Sequence, residues 1–328
     1  MQSTEKQTGK LVIGNVKLAS KVILAPLAGY NDTVFRSLLR LFDKDSLLTS
    51  EMVSSEALKM SKDKTIIDHN ETEYPLAFQL SGHKPEIMAE GAKVLEPIST
   101  IIDINMGCPA SKIVTNADGA NLMTNLALAS KIISSVKNAV SIPITVKCRL
   151  GWDQQNKNYI EFAKMAEESG ADAICIHGRT RSQLYSGCSD WEAIGKAKEV
   201  LKIPVIANGD ITSPEKAKQC LEITKCDGIS VGRGVLADPA LLYKINTYLK
   251  TGEIPSDISI KKRLELLLLH CKNETEYRGE LTGIKFFRKF IGWYIKGIRE
   301  ASKHRYNLVR MENLAEMEDY ITNLLVKV

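Results

Sequence analysis

The chain has 328 residues, of which 44% are hydrophobic and 25% charged, with a formal net charge of +5, a composition that excludes a disordered chain. No apolar run approaches the roughly 18 residues a membrane helix needs, and the polar start Met-Gln-Ser-Thr-Glu-Lys-Gln lacks the core of a secretory signal, so no membrane association and a cytoplasmic location are expected. Seven cysteines, odd in number and without a CxxC pair or paired His/Cys spacing, argue against a disulfide framework and a structural metal, and are expected as thiols.

Eight short apolar, β-branched runs can be counted: Val22 to Pro26, Leu47 to Val53, Pro75 to Ser81, Ile101 to Gly107, Pro143 to Gly151, Ala173 to Thr180, Pro204 to Ile211 and Gly228 to Gly234. Most are separated by helical patterns. Continuous apolar strands alternating with helices indicate parallel β-structure covered on both faces. Eight such units predict an α/β fold, a parallel (β/α)8 TIM barrel over residues 1–250; a doubly wound open sheet is the competing reading, but it seldom uses eight evenly spaced strands. The longest gap opens with Asn105-Met106-Gly107-Cys108-Pro109 and runs through small, polar residues to Gly119, where a mobile loop is expected.

After the eighth run, Asp238 and Pro239 predict a helix start and Thr251-Gly252 its end. Gly252 to Ser259 reads as a linker, and residues 251–328 as a C-terminal all-helical domain. Residues 241–328 hold 16 Lys/Arg against 11 Asp/Glu, so they carry the whole positive surplus, and between Leu281 and Arg310 eight Lys/Arg face Glu300 alone. On a helix running from Ile284 onward, Lys285, Arg288, Lys289, Lys296, Arg299 and Lys303 would share one arc, with Ile284, Phe287, Ile291, Tyr294, Ile295 and Ile298 mainly opposite. That arc predicts an RNA grip; a solvated basic face is the bland reading.

The strand ends place Pro26-Leu27-Ala28, Glu51, Gln79, Asn105 with Cys108, Lys147 with Arg149, His177, Asn208 with Asp210, and Gly232-Arg233 around one mouth. Any one of these could be a turn cap, a snorkelling lysine or a core histidine; together they are harder to dismiss. Asn208-Gly209-Asp210 and Gly232-Arg233-Gly234 end the seventh and eighth strands, where barrels frequently bind phosphate. Lys147 and Arg149 alternate by two and face the same side, and two unpaired cations there call for an anionic ligand. Cys148 and Cys175 sit inside apolar strand patterns as small buried hydrophobes. Cys108 follows a strand end, where a thiol can act as acid or nucleophile.

The segments Ala25-Pro26-Leu27-Ala28-Gly29, Gln79-Leu80-Ser81-Gly82, Asp103-Ile104-Asn105-Met106-Gly107-Cys108-Pro109, Val146-Lys147-Cys148-Arg149-Leu150-Gly151, His177-Gly178-Arg179-Thr180-Arg181, Ala207-Asn208-Gly209-Asp210-Ile211 and Gly232-Arg233-Gly234 resemble those of tRNA-dihydrouridine synthases. The Met-Gly-Cys-Pro loop together with His-Gly-Arg-Thr-Arg is the specific part. Phe287-Arg288-Lys289-Phe290-Ile291-Gly292-Trp293-Tyr294 is similar to the bacterial B-type branch, with Phe290 in place of histidine and Leu27 in place of the more usual methionine. The resemblance implies FMN as cofactor, NADPH as electron source and a tRNA uridine reduced at C5=C6, with hydride from flavin N5 to C6 and a proton from Cys108 to C5. It implies that Asn105, Arg149 and His177 hold the uracil and that Arg181 and Tyr185 contact the substrate nucleotide. Pro26, Leu27, Ala28, Gln79 and Lys147 would line the isoalloxazine, and Asn208, Gly209, Asp210, Gly232 and Arg233 would hold the phosphate. A monomer is expected. The competing functions are another FMN barrel, such as a dihydroorotate dehydrogenase, and a non-catalytic RNA-binding barrel; the basic tail argues against the first and the complete polar mouth against the second.

Overall fold

The computed structural model describes residues 10–60 and 65–326; the polar N-terminal stretch read above lies outside them. A hairpin opens the described chain, with β1 (Leu11–Ile13) antiparallel to β2 (Val16–Leu18). Eight parallel strands follow: β3 (Val22–Leu24), β4 (Leu48–Ser54), β5 (Leu76–Ser81), β6 (Ile101–Asn105), β7 (Ile144–Arg149), β8 (Ala173–His177), β9 (Val205–Asn208) and β10 (Gly228–Val231). Their order is β3-β10-β9-β8-β7-β6-β5-β4. The two ends of that row meet, because Ile23 bridges Leu47 and the Leu24 N–H donates to the Leu47 carbonyl at 2.8 Å. The sheet is therefore a closed barrel, and the open-sheet alternative falls.

Strand periodicity builds the interior in layers, since alternate residues point inward. At the N-terminal end Ile23, Leu47, Ala77, Ile101, Ala173, Cys175 and Ile206 pack with Leu11, Ile13 and Leu18, so the hairpin plugs the floor. The sequence reading missed this hairpin, although Gly14-Asn15 between two alternating triplets is a turn signal. Above the floor the register places Gln79 beside Asp103, Asp103 beside Thr145, Asn105 beside Lys147, Arg149 beside His177 and His177 beside Asn208. Apolar residues thus occupy the closed end and polar ones the open end.

A one-turn helix, Gly234–Ala237, follows β10, and the next helix spans Leu241–Thr251, starting later than Asp238-Pro239 suggests, because the Asp238 carboxylate accepts the Ala240 N–H and holds Lys244 at 2.6 Å. Helices Ile260–Arg278, Glu280–Tyr294, Ala301–Leu308 and Leu314–Leu325 complete the chain. Their apolar faces belong to the same buried cluster as the barrel's outer layer. Phe290 stacks on Phe35 with ring centroids 5.4 Å apart and meets Tyr30 edge-on at 5.6 Å, both from the β3 side of the barrel. No helix among the described residues is long and apolar enough to cross a membrane.

One expectation is corrected here. The helix that starts before Ile284 does not continue to Lys303; it ends at Tyr294, and Gly297 and Glu300 take left-handed φ values of 78° and 57° before the next helix begins. Glycine adopts that conformation freely and so terminates the helix, while Ile295 and Ile298 stay buried through the turn. The basic arc is therefore broken in two.

Candidate active site

Parallel strands deliver their C-terminal residues to one end of the barrel, and there the structure brings Gln79, Asn105, Cys108, Lys147, Arg149, His177 and Asn208 together. Asn105 ends β6, and its Oδ1 accepts the backbone N–H of Cys108 at 3.0 Å and of Gly107 at 3.2 Å. The Cys108 carbonyl accepts the Ala120 N–H at 3.0 Å, and a Cβ on Gly119 would stand 2.7 Å from that carbonyl oxygen, so only glycine lets the chain turn back this tightly. The segment expected as a mobile loop holds a helical turn, Ser111–Thr115, and is tied to the neighbouring loop after β5 by His83 Nδ1 to Asp118 at 2.9 Å. Cys108 is half-buried, whereas Cys148 and Cys175 are buried in their strands, where desolvation pushes the Cys175 thiol up to about 11.

Arg149 is a brace. Its Nε–H donates to the Gly107 carbonyl at 2.9 Å, and Nη1 donates to the carbonyls of Thr180 and Leu184, each at 2.9 Å, so one guanidinium joins the Cys108 loop to the loop after β8. Burial lowers its pKa to about 10, still protonated at neutral pH. His177 lies against it. Burial first, then Lys147, Arg149, Arg179 and Arg233, hold the imidazole far below its ordinary range. The ring is neutral, and Arg179 Nη1 at 3.3 Å from Nε2 assigns the ring proton to Nδ1. Lys147 is half-buried, and its ammonium has no hydrogen-bond or ion-pair partner among the described residues.

The second group of expected residues forms the adjoining wall. Gly232 faces Leu27, since a Cβ there would stand 3.7 Å from Leu27 Cδ2, and Pro26 is half-buried while Ala28 is exposed. Asn208 Nδ2 donates to the Ser230 carbonyl at 2.7 Å, and the Gly209 carbonyl accepts the Trp191 indole N–H at 3.0 Å. The Asp210 carboxylate is engaged by Arg179 at 2.8 Å and by the Ser189 N–H at 2.7 Å, so what it can offer an anion is main chain. The Arg233 guanidinium lies over the exposed Tyr185 ring, 4.2 Å from its centroid, with His177 on the same ring at 6.4 Å. Arg181 rests over Trp152 at 4.8 Å with its Nε buried and unpartnered. A cationic mouth with an unpaired lysine, a neutral imidazole and a side-chain-free turn beside Leu27 fits a flat, anionic cofactor.

Two of the expected RNA contacts leave the exposed set. Lys289 is drawn inward: its ammonium donates to the Gly29 carbonyl and sits over the Phe286 ring, 3.0 Å from its centroid, and burial lowers its pKa to about 8. Glu51 accepts the N–H of the same Gly29, and burial raises its pKa. Arg288 donates Nη2–H to the Met311 carbonyl at 2.9 Å and has its Nε buried. Lys285, Lys296, Arg299 and Lys303 are exposed. Arg179 and Asp103 were passed over in the sequence reading; the signal was a charged side chain two residues from an assigned one on the same strand or its end, His177 for the first and Asn105 for the second.

Comparison with known proteins gives three kinds of finding. A family model described as dihydrouridine synthase (Dus) matches residues 23–327. The probable tRNA-dihydrouridine synthase of Rickettsia bellii (strain RML369-C) is 42% identical over 321 residues, 96% of this chain and 98% of that protein. The tRNA-dihydrouridine synthase B of Vibrio vulnificus (strain CMCP6) is 38% identical over 319 residues, 95% of this chain and 99% of that one. Among solved structures, the old yellow enzyme homologue from Zymomonas mobilis superposes with a TM-score of 0.51 at 13% identity, covering 76% of this chain and 94% of that chain, a likeness of fold.

Proposed function

The chain belongs to the dihydrouridine synthase family, and from that premise and the geometry of the mouth we propose that it reduces uridine in tRNA to 5,6-dihydrouridine, with FMN as cofactor and NADPH as electron source. The observation that carries this reading is the Cys108 loop, whose main chain is anchored by Asn105 and Arg149 at the end of β6 beside the cationic mouth. Pro26, Leu27, Ala28, Gln79 and Lys147 would hold the flavin ring, and Asn208, Gly209, Asp210, Gly232 and Arg233 its phosphate end. Bound flavin supplies the hydride to C6 of the uracil. The chain supplies the proton: the Cys108 S–H bond breaks as a C–H bond forms at C5, leaving a thiolate that solvent reprotonates. Neutral His177 can donate Nδ1–H to a uracil carbonyl without bringing a further charge into the mouth.

A uridine reaches a barrel mouth only out of its stack, so the base is flipped, with Arg181 and Tyr185 beside it. Lys285, Lys296, Arg299 and Lys303 are the exposed cations of that arc left for the phosphates. Purified protein should be yellow and, given NADPH, should introduce dihydrouridine into tRNA that lacks it, read by nucleoside mass spectrometry. In Cys108→Ala, uridine reduction should fall about 10² to 10⁴-fold while NADPH still reduces the flavin. A colourless protein, or dihydroorotate oxidised while tRNA stays unchanged, overturns the assignment.

A further inference from the structure

Inside the barrel, hydrogen bonds run in one direction between Asp103 in the middle layer and the Cys108 loop, through Gln79 and Asn105. Asp103 Oδ1 accepts the Thr145 hydroxyl at 2.6 Å, and Asp103 Oδ2 accepts Gln79 Nε2–H at 2.6 Å. Gln79 Oε1 accepts Asn105 Nδ2–H at 2.7 Å, and Asn105 Oδ1 accepts the N–H groups of Gly107 and Cys108. Asp103, Gln79 and Asn105 are all buried.

The direction is forced from both ends. Backbone N–H groups at Gly107 and Cys108 can only donate, so Asn105 must turn its oxygen to them and its amide nitrogen to Gln79. Gln79 must then turn its own oxygen to Asn105 and its nitrogen to residue 103, which has to accept. A carboxylate does so with either oxygen. No other flip of the two amides satisfies every group, so the orientation follows from the network itself. Lys147, on the neighbouring strand, favours the ionised Asp103 through its charge but makes no ion pair with it, so the carboxylate's hydrogen bonds go to Gln79 and Thr145.

We propose that Asp103 is a positioning residue for the proton transfer: as the accepting terminus of this relay it sets the flip of Gln79, through Gln79 that of Asn105, and through Asn105 the place of the Cys108 thiol over the mouth. This rests on the reading of Cys108 as proton donor. Asp103→Ala leaves Gln79 Nε2 without an acceptor in a buried site, so Gln79 turns away and Asn105 loses its restraint. Asp103→Asn keeps an oxygen for Gln79 and presents its nitrogen to the Thr145 hydroxyl, so the relay survives without the charge.

The test uses the full-length flavoprotein and iodoacetamide. Cys108 alkylation is followed by peptide mass, with the exposed Cys188 in the same chain as internal reference. In Asp103→Ala the Cys108 to Cys188 ratio should rise and kcat for uridine reduction should fall on the order of 10²-fold, a larger loss than any in flavin reduction by NADPH, which changes only as far as Gln79 touches the flavin ring. Asp103→Asn should restore both. A wild-type ratio and kcat in Asp103→Ala overturn the relay, as does an asparagine variant impaired as badly as the alanine one, which would make charge rather than direction the cause. If Asp103→Ala does not fold, Gln79→Glu serves. Its carboxyl can donate to Asp103 only while the pair shares a proton, with Lys147 and Cys148 on β7, Cys175 on β8 and Glu51 on β4 the other ionisable groups on the surrounding strands. Relative to wild type at each pH, its ratio should be normal in acid and raised in base; a ratio that never departs from wild type overturns the relay. Should wild-type protein reduce no uridine, the functional reading fails while the alkylation ratio still decides the relay.

Discussion

The barrel mouth and the joint between barrel and C-terminal helices both bury ionised groups, and they balance them differently. At the joint, acids and cations pair: Arg36 with Glu73, Arg278 with Asp32 and with Glu274, and Lys289 and Glu51 on the two sides of Gly29. At the mouth four cations, Lys147, Arg149, Arg179 and Arg233, surround His177, while Asp210 is held by Arg179. Burying charge is costly unless it is paired, so a balanced cluster is finished structure and an unbalanced one is a site awaiting an anion. The same contrast accounts for Lys289, which lies on a basic helix by sequence yet serves the joint.

Variants can sharpen or break that contrast. The largest expected effect is at the joint. Glu73→Ala strands a buried guanidinium, Arg36 being 2% exposed, and should cost about 3–5 kcal/mol in urea unfolding of the flavin-free protein, leaving flavin affinity of the folded fraction alone. A larger effect on flavin than on stability would mean that joint and mouth are one unit. Lys147→Ala should do the reverse. Removing an unpaired cation leaves flavin-free stability unchanged or raised, while titration with FMN shows weaker binding; a protein that unfolds more easily yet binds FMN normally would make Lys147 structural.

The smallest expected effect is a slope. Burial holds the fully buried His270 at about 3, below its ordinary 6.5. A depressed histidine contributes stability that is fully present above the unfolded value and is lost as pH falls, because the unfolded chain takes up a proton that the folded one refuses. Wild-type unfolding free energy should therefore fall by about 1.4 kcal/mol per pH unit from this group between roughly pH 6 and pH 4, a slope His270→Gln should lack. His177 adds a contribution of the same sign. Asp32 and Glu274, raised by burial beside His270, oppose it in acid, so the difference between variant and wild type is the quantity to measure. Parallel slopes would show that His270 titrates normally.

The barrel and most of its mouth could be read from residue order alone. A strand repeats every two residues, so Lys147 and Arg149, or Asp103 and Asn105, necessarily share a face, and parallel connection sends every strand end to the same rim. The short spans of the β1–β2 hairpin carried too few residues for that periodicity to stand out, although its turn was visible. At Gly297 local pattern misled, because a lone glycine fits inside a helix or ends one, and the burial of Ile295 and Ile298 against distant residues selects the ending. What each polar side chain touches lay beyond any local reading. Lys289 meets Gly29 across 260 residues and Gln79 meets Asp103 across 24, contacts that exist only once the barrel has closed and the helices have packed on its side. Hydrogen-bond direction and charge balance are properties of such closures, and they separate the cations that hold this protein together from those that wait for a ligand.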